Sequence, residues 1–336
     1  MTTDPSSSNV VYPGLVDLAC ETVGGRAVAA SDELFAEKEN LVKSAPAVCD
    51  PDRYTDRGKW MDGWESRRRR TAGHDWCVVR LGIPGIVRAV DVDTSHFLGN
   101  HPAEAAVSGC RSGADGEGDV AAWSWRPLAA RIALGPGRHN LLPVVDPEVV
   151  DHVRLEIHPD GGVARLRVWG EPRPPRPEGV FDLAALVHGG RAVACSDMFF
   201  GRMEHLILPG SPVTMGGGWE TRRRRGPGHD WAVIRLAAPA RVERVEIDTM
   251  HFKGNYPERA TVEIGRAGRR IGPLECAGLA WRPLVRETRL GPDANHVVTD
   301  LAAHEPGDHV RLSVHPDGGV ARLRVFGRPV DEEPPE

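Results

Sequence analysis

The stretch Asp151–Trp169 reads DHVRLEIHPDGGVARLRVW, and Asp308–Phe326 reads DHVRLSVHPDGGVARLRVF. Within it Val153, Leu155 and Ile157 alternate with Arg154, Glu156 and His158. After Pro159-Asp160-Gly161-Gly162, Leu166 and Val168 alternate with Arg165 and Arg167. A period of two places one apolar and one polar face on a β-strand, and the Pro-Asp-Gly-Gly segment is a turn, so the expected local structure is a β-hairpin. Recurrence of nineteen residues at this fidelity marks an internal duplication.

Outward from this segment the two halves stay in step. Gly24-Gly25-Arg26-Ala27-Val28-Ala29 returns at Gly189–Ala194, each followed by Ser-Asp. Gly63-Trp64-Glu65-Ser66 and four arginines return at Gly218–Arg225. Gly73-His74-Asp75-Trp76 returns at Gly228–Trp231, and Asp93-Thr94-Ser95-His96-Phe97-Leu98-Gly99-Asn100 at Asp248–Asn255. The offset runs from 155 residues (Gly63 to Gly218) to 165 (Gly24 to Gly189), a whole domain rather than a solenoid unit. The expected organisation is a polar tail over 1–14, a first repeat over 15–170, a proline-rich linker over 171–179, a second repeat over 180–329, and a tail over 330–336. Gly (38) and Pro (28) punctuate short Val-rich segments. The only helical periodicity lies around Glu33 to Leu41. The fold class expected is all-β: two tandem antiparallel β-sandwiches, as jelly rolls.

Composition narrows the function. The 336-residue chain is 40% hydrophobic and 26% charged, with a net charge of −5. An acidic excess argues against nucleic acid as the main partner, because counterion release needs a basic face. No apolar run is long enough to span a bilayer, and Met1 to Asn9 lacks the regions of a signal peptide. The six cysteines form no Cys-x-x-Cys pair, and Cys77 aligns with Ala232, so reduced thiols and a cytoplasmic location are expected.

The recurrent polar clusters are the candidate site. If the Arg run continues a strand, Arg67 and Arg69 share a face with Glu65 and can aim guanidinium forks at a carboxylate, while Arg68 and Arg70 face away. The competing reading of each is a solvated or ion-paired edge strand. His74 is a strand-start residue that caps a loop or titrates near neutrality. Asp93, His96 and Asn100 converge on a Gly-Asn turn and offer an acid, a base and an amide. Their spacing is not diagnostic of a metal site, and none is expected. Asp62 aligns with Gly217, so that carboxylate is present only once. The sequence carries no phosphate-binding loop and no nucleophile elbow.

Taken together, Trp60-Met61-Asp62-Gly63-Trp64-Glu65, the Arg run, Gly-His-Asp-Trp, Val-Asp-Thr-x-His-Phe-x-Gly-Asn and His-Pro-Asp-Gly-Gly-Val-Ala-Arg-Leu-Arg-Val resemble the allantoicase family over about residues 15–328. The resemblance implies paired jelly rolls of the galactose-binding type, hydrolysis of allantoate to ureidoglycolate and urea, and a homo-oligomer. It transfers no catalytic residues. The chemistry of allantoate asks for a cation for its carboxylate, polar groups for two ureido arms and a proton-transfer group, with no cofactor required. We therefore assign Glu65, Asp93 and His96 as catalytic candidates and Arg67, Arg69, Asn100 and Arg165 as substrate-binding candidates, the first repeat being favoured because it alone has Asp62. Glu220, Arg222, Asp248, His251, Asn255 and Arg322 are the corresponding second site. The alternative is a non-catalytic carbohydrate- or small-ligand-binding tandem sandwich, with Trp64, Trp76, Trp219 and Trp231 as sugar platforms.

Overall fold

The computed structural model describes residues 15–112, 119–269 and 271–330. The expected tail at 1–14 lies outside them, as does the expected tail at 330–336 except for Val330, whose N–H donates to Pro239 O at 2.9 Å. The chain divides into two compact units between Pro174 and Pro175. Regular structure is almost entirely strand, with only short 3-10 turns such as Lys38–Val42. Among the described residues no helix is long and apolar enough to cross a membrane.

Each unit is organised by one long strand. In the first it is Asp75–Asp93. Its first half pairs antiparallel with Arg26–Ala30 and with Val149–His158. Val149–His158 in turn pairs with Glu104–Cys110, which pairs with Arg126–Ala133. Its second half has different partners, Arg165–Pro172 and His139–Pro143, and Arg165–Pro172 carries the edge strand Val16–Asp17. One strand thus serves both layers of an antiparallel sandwich and turns the corner between them near Gly82–Gly85. In the first unit this corner is tight around Gly82, where a Cβ would lie 2.2 Å from the Val23 carbonyl oxygen; the second unit has Ala237 at the corresponding position. The second unit repeats this around Asp230–Asp248.

Alternation reads correctly as burial. Val153, Leu155, Ile157, Leu166 and Val168 are fully buried with Val78, Val90 and Val107. The β-branched and Leu side chains of the two layers meet in that core. The hairpin expected from His158 to Arg165 does not form. Val149–His158 and Arg165–Pro172 never pair with each other; each pairs with the long strand, on opposite sides of its corner. Period-2 patterning fixes which face is apolar but not which strand is the neighbour. Arg165–Pro172 also carries the sheet through Pro172, so the stretch assigned as linker begins inside a strand.

The Arg run departs from expectation too. The strand holding Trp64 and Glu65 is only those two residues long. Arg67 to Arg70 therefore have no alternating faces, and their directions are set by individual partners. Trp64 and Trp219 are fully buried, and each donates its indole N–H to a backbone carbonyl, Asp32 O and Asp197 O, at 2.8 Å. They are core residues and not sugar platforms.

Candidate functional site

One structural device, present in both repeats, brings a glutamate and an asparagine together. In the first repeat the short strand Trp64–Glu65 pairs with Gly162–Val163, setting Gly162 opposite Glu65. Gly162 N–H donates to Asn100 O at 2.8 Å. The ring of Phe97, itself fully buried, lies where a Gly162 side chain would be: a Cβ there would sit 2.0 Å from Phe97 Cε1. Gly162 therefore docks the loop after Asp93 onto the Glu65 strand. The outcome is a hydrogen bond from Asn100 Nδ2 to Glu65 Oε1 at 2.8 Å. Burial raises the Glu65 carboxyl above the usual range, against the opposing pull of the Asn100 bond.

In the second repeat Gly319 stands opposite Glu220, donates to Asn255 O at 2.8 Å and meets Phe252 as closely. Asn255 Nδ2 donates to Glu220 Oε1 at 2.6 Å. Here the pair sits in a cleft of about 520 Å³, whose walls include Phe200, Arg223, Tyr256, Glu258, Arg289 and Asp317. Neither Arg223 nor Arg289, both exposed, has an ion-pair partner among the described residues, and they share the cleft wall with the carboxylates of Glu220, Glu258 and Asp317.

The other sequence candidates are engaged elsewhere. Arg67 is an exposed side chain held by Asp32 (Nε to Oδ2, 2.6 Å), and Arg222 is held likewise by Asp197. Arg69 donates to Asp75 Oδ1 at 2.9 Å, and its backbone N–H donates to Asp160. Asp93 Oδ1 accepts from Ser95 N–H, and Asp248 Oδ1 from Met250 N–H, each at 2.8 Å. These are local turn bonds. His96 and His251 occupy the left-handed region at φ 70° and 69°, and their Nε2 atoms donate to Ala47 O and Pro212 O. Arg165 is buried, donating to Ala45 O, Pro46 O, Asp62 O and Ala164 O, and to Asp62 Oδ2 at 2.8 Å. It pins the segment before Asp62 to the sheet. The structure thus joins Glu65 with Asn100 and Glu220 with Asn255, while Arg67, Arg165 and their counterparts are committed to protein partners.

Sequence reasoning missed Arg223, Tyr256, Glu258 and Arg289. Arg223 corresponds to Arg68, which the expected strand alternation turned away from the site, but the strand ends at Glu65 in one repeat and at Glu220 in the other. Glu258 and Arg289 align with Ala103 and Ala133, so a search weighted to repeated residues passes over them. It also missed Cys110, Asp151 and His152, whose ligand atoms lie within 4.8 Å of one another and could hold a metal ion. His152 Nδ1 is bonded to Asp151 Oδ1 at 2.7 Å. The second repeat keeps Asp308 and His309 but has Gly265 in place of the cysteine.

With the geometry in place, likeness to known proteins decides the family. A family model for the allantoicase repeat matches residues 16–173 and again 181–330. The chain belongs to the allantoicase family. It is 48% identical to "Probable allantoicase 2" of Burkholderia pseudomallei, over 93% of this chain and 94% of that protein. It is 45% identical to a "Probable allantoicase" of Pseudomonas aeruginosa over 94% and 96%. The crystal structure of allantoicase from Saccharomyces cerevisiae superposes with a TM-score of 0.77 at 33% identity, covering 93% of each chain. The duplicated β-sandwich is therefore an allantoicase architecture over nearly its whole length.

Proposed function

We infer that this chain hydrolyses allantoate to ureidoglycolate and urea in purine degradation, and that the reaction takes place in the cleft of the second repeat. Membership of the allantoicase family supports the activity. The location rests on one observation: the Glu220–Asn255 pair stands in a cleft with two unpaired guanidiniums, Arg223 and Arg289. Allantoate carries a carboxylate on a carbon bearing two ureido groups. Arginine forks are the groups best matched to the carboxylate. Asn255 already donates to Glu220, which leaves its carbonyl oxygen to accept a ureido N–H, and the Tyr256 hydroxyl is a further polar wall.

The chemistry then needs one proton relay. Glu220 acts as the general acid: a proton passes from its carboxyl group to the nitrogen of the departing urea as the C–N bond breaks. The lone pair of the other ureido nitrogen forms the C=N bond. Water adds to that carbon, and the Glu220 carboxylate takes up the proton the water loses, regenerating the acid. Atoms balance as allantoate plus water giving ureidoglycolate plus urea.

A second location is favoured by a different observation. In the first repeat burial holds the Glu65 carboxyl above its usual range, as a general acid requires. Its surroundings lack the counterparts of Glu258 and Arg289. Urea release from allantoate by Glu220→Gln and Glu65→Gln separates the two. We further propose that the enzyme is cytoplasmic and assembles as a homo-oligomer.

A further inference from the structure

In the first repeat the Asp62 carboxylate is held by two hydrogen-bond donors and an ion pair. Arg165 Nη2 reaches Oδ2 at 2.8 Å, Val48 N–H donates to the same oxygen at 3.0 Å, and Lys43 Nζ is 3.5 Å from Oδ1. In the second repeat the arginine is kept. Arg322 is 5% exposed, and it donates to Gly210 O, Gly217 O and Ala321 O, matching the bonds of Arg165 to Ala45 O, Asp62 O and Ala164 O. The carboxylate, however, is gone, because Gly217 stands where Asp62 does. Among the described residues no hydrogen bond is made by Arg322 Nη2 or by the backbone N–H of Val213, the counterpart of Val48, which lies exposed at the mouth of this position. Leu208 replaces Lys43. The site has kept two donors and lost the anion they held.

We propose that Arg322 and the Val213 amide form a binding site for a small carboxylate, which takes the position of the Asp62 side chain in the first repeat. A nearly buried guanidinium without an anion is costly, and a bound carboxylate offsets that cost with charge-assisted hydrogen bonds. Burial and the neighbouring Arg324 already depress Arg322 to about 10, the direction expected of a cation lacking its counter-ion. The Asp248 carboxylate is the nearby negative charge and works against that depression, and its Oδ1 accepts from Met250 N–H. Arg324 spends its Nη2 on Leu208 O and Gly210 O, so it reinforces the positive field without filling the position. The residues lining the Glu220 cleft do not include Arg322, Gly217 or Val213, so this site does not depend on where hydrolysis occurs. The carboxylate can be that of the substrate or a free small acid.

The test is a titration of the full chain with sodium acetate in chloride-free buffer, followed by calorimetry. Wild type binds acetate. Gly217→Asp, which supplies a tethered carboxylate, weakens acetate binding by roughly tenfold or more, the equivalent of one charge-assisted bond. Gly217 does not have a positive φ, so an Asp there meets no backbone penalty, but a Cβ would lie 2.8 Å from Pro212 Cβ. Gly217→Ala is therefore the packing control and retains binding. Asp62→Gly in the first repeat creates a second acetate site. The KM for allantoate assigns the source: a rise in Gly217→Asp means the substrate's own carboxylate binds here and not between Arg223 and Arg289, and an unchanged KM means a free acid occupies the site. Failure of wild type to bind acetate, or equal binding by wild type and Gly217→Asp, overturns the proposal.

Discussion

Replacing Gly319 with Ala places a methyl group about where the Phe252 ring lies, 1.9 Å from Cε1 and 2.1 Å from Cδ1. Gly319 is not a positive-φ residue, so the backbone tolerates Ala and the whole cost is steric. Overpacking of a filled core costs about 1–3 kcal/mol, while the Gly→Ala change stiffens the unfolded chain and returns about 0.4–1 kcal/mol. The net destabilisation is about 0–2.6 kcal/mol, or up to about 10 °C in the melting of a unit this size. Activity should suffer more than stability. Relief requires Phe252 to move, and Phe252 belongs to the loop that ends in Asn255, whose backbone oxygen Gly319 itself holds. A displacement of about 1 Å at a catalytic group can cost about 100-fold, so kcat/KM for allantoate falls by about that factor. Gly162→Ala makes the same clash with Phe97 and gives a similar loss of stability, but leaves kcat/KM within about twofold, the ordinary scatter for a change far from the chemistry. Phe252→Leu combined with Gly319→Ala removes ring atoms from the collision and recovers part of the melting temperature. Thermal melts and urea-release kinetics on the variants provide the readout. Loss of activity in Gly162→Ala with retention in Gly319→Ala would refute the assignment to the second repeat.

Asp62→Ala leaves Arg165 buried without its carboxylate. Breaking such a pair costs about 3–5 kcal/mol, but four carbonyl acceptors remain, so denaturant unfolding should report the low end of that range. Arg223→Ala and Arg289→Ala should each raise KM by about tenfold, the value of one charge-assisted contact with the substrate carboxylate, and change kcat less; steady-state kinetics checks this. Acid should weaken the fold through His158 and His315. Each is pushed below the ordinary histidine range by burial first, with Arg131 and His74 beside His158, and His229 and Arg259 beside His315, adding to it. A lowered folded pKa means that the unfolded chain takes up protons more readily. Stability is therefore retained above about pH 6.5 and declines as the pH falls below it toward the folded values. Melts from pH 8 to 5 should show the decline, and His158→Asn with His315→Asn should flatten it.

The fold was legible because burial alternates where the sequence alternates, and because duplication makes each half a check on the other. Strand partners were not: Val149–His158 and Arg165–Pro172 are close in sequence yet lie on opposite sides of the corner in Asp75–Asp93, and the glycines at that corner are replaced by Ala237 and Ala240 in the second repeat, so no glycine signal shared by the two halves records it. Of the candidate site residues, Asn100 and Asn255 were chosen from a dense turn motif and Glu65 and Glu220 from the acid beside the Arg run, and the structure brings each glutamate against its asparagine. Arg67, Arg69 and Arg165 were found for the right chemistry, but their carboxylate and carbonyl partners, Asp32, Asp75, Asp62 and Ala45, come from remote segments that no spacing rule connects. Arg289 and Glu258 escaped because they differ between the repeats. Repetition reports what the ancestor carried, whereas a division of labour is written in the differences.

Urea release from allantoate by Glu220→Gln, set beside Glu65→Gln, tests the central claim most directly. Gln keeps the size of the side chain and a carbonyl oxygen for the asparagine bond, but it cannot transfer a proton. The account predicts that Glu220→Gln lowers kcat by about 10²–10⁴-fold, the usual range for loss of a general acid–base group, while Glu65→Gln stays close to wild type. Wild-type kcat in Glu220→Gln would contradict it.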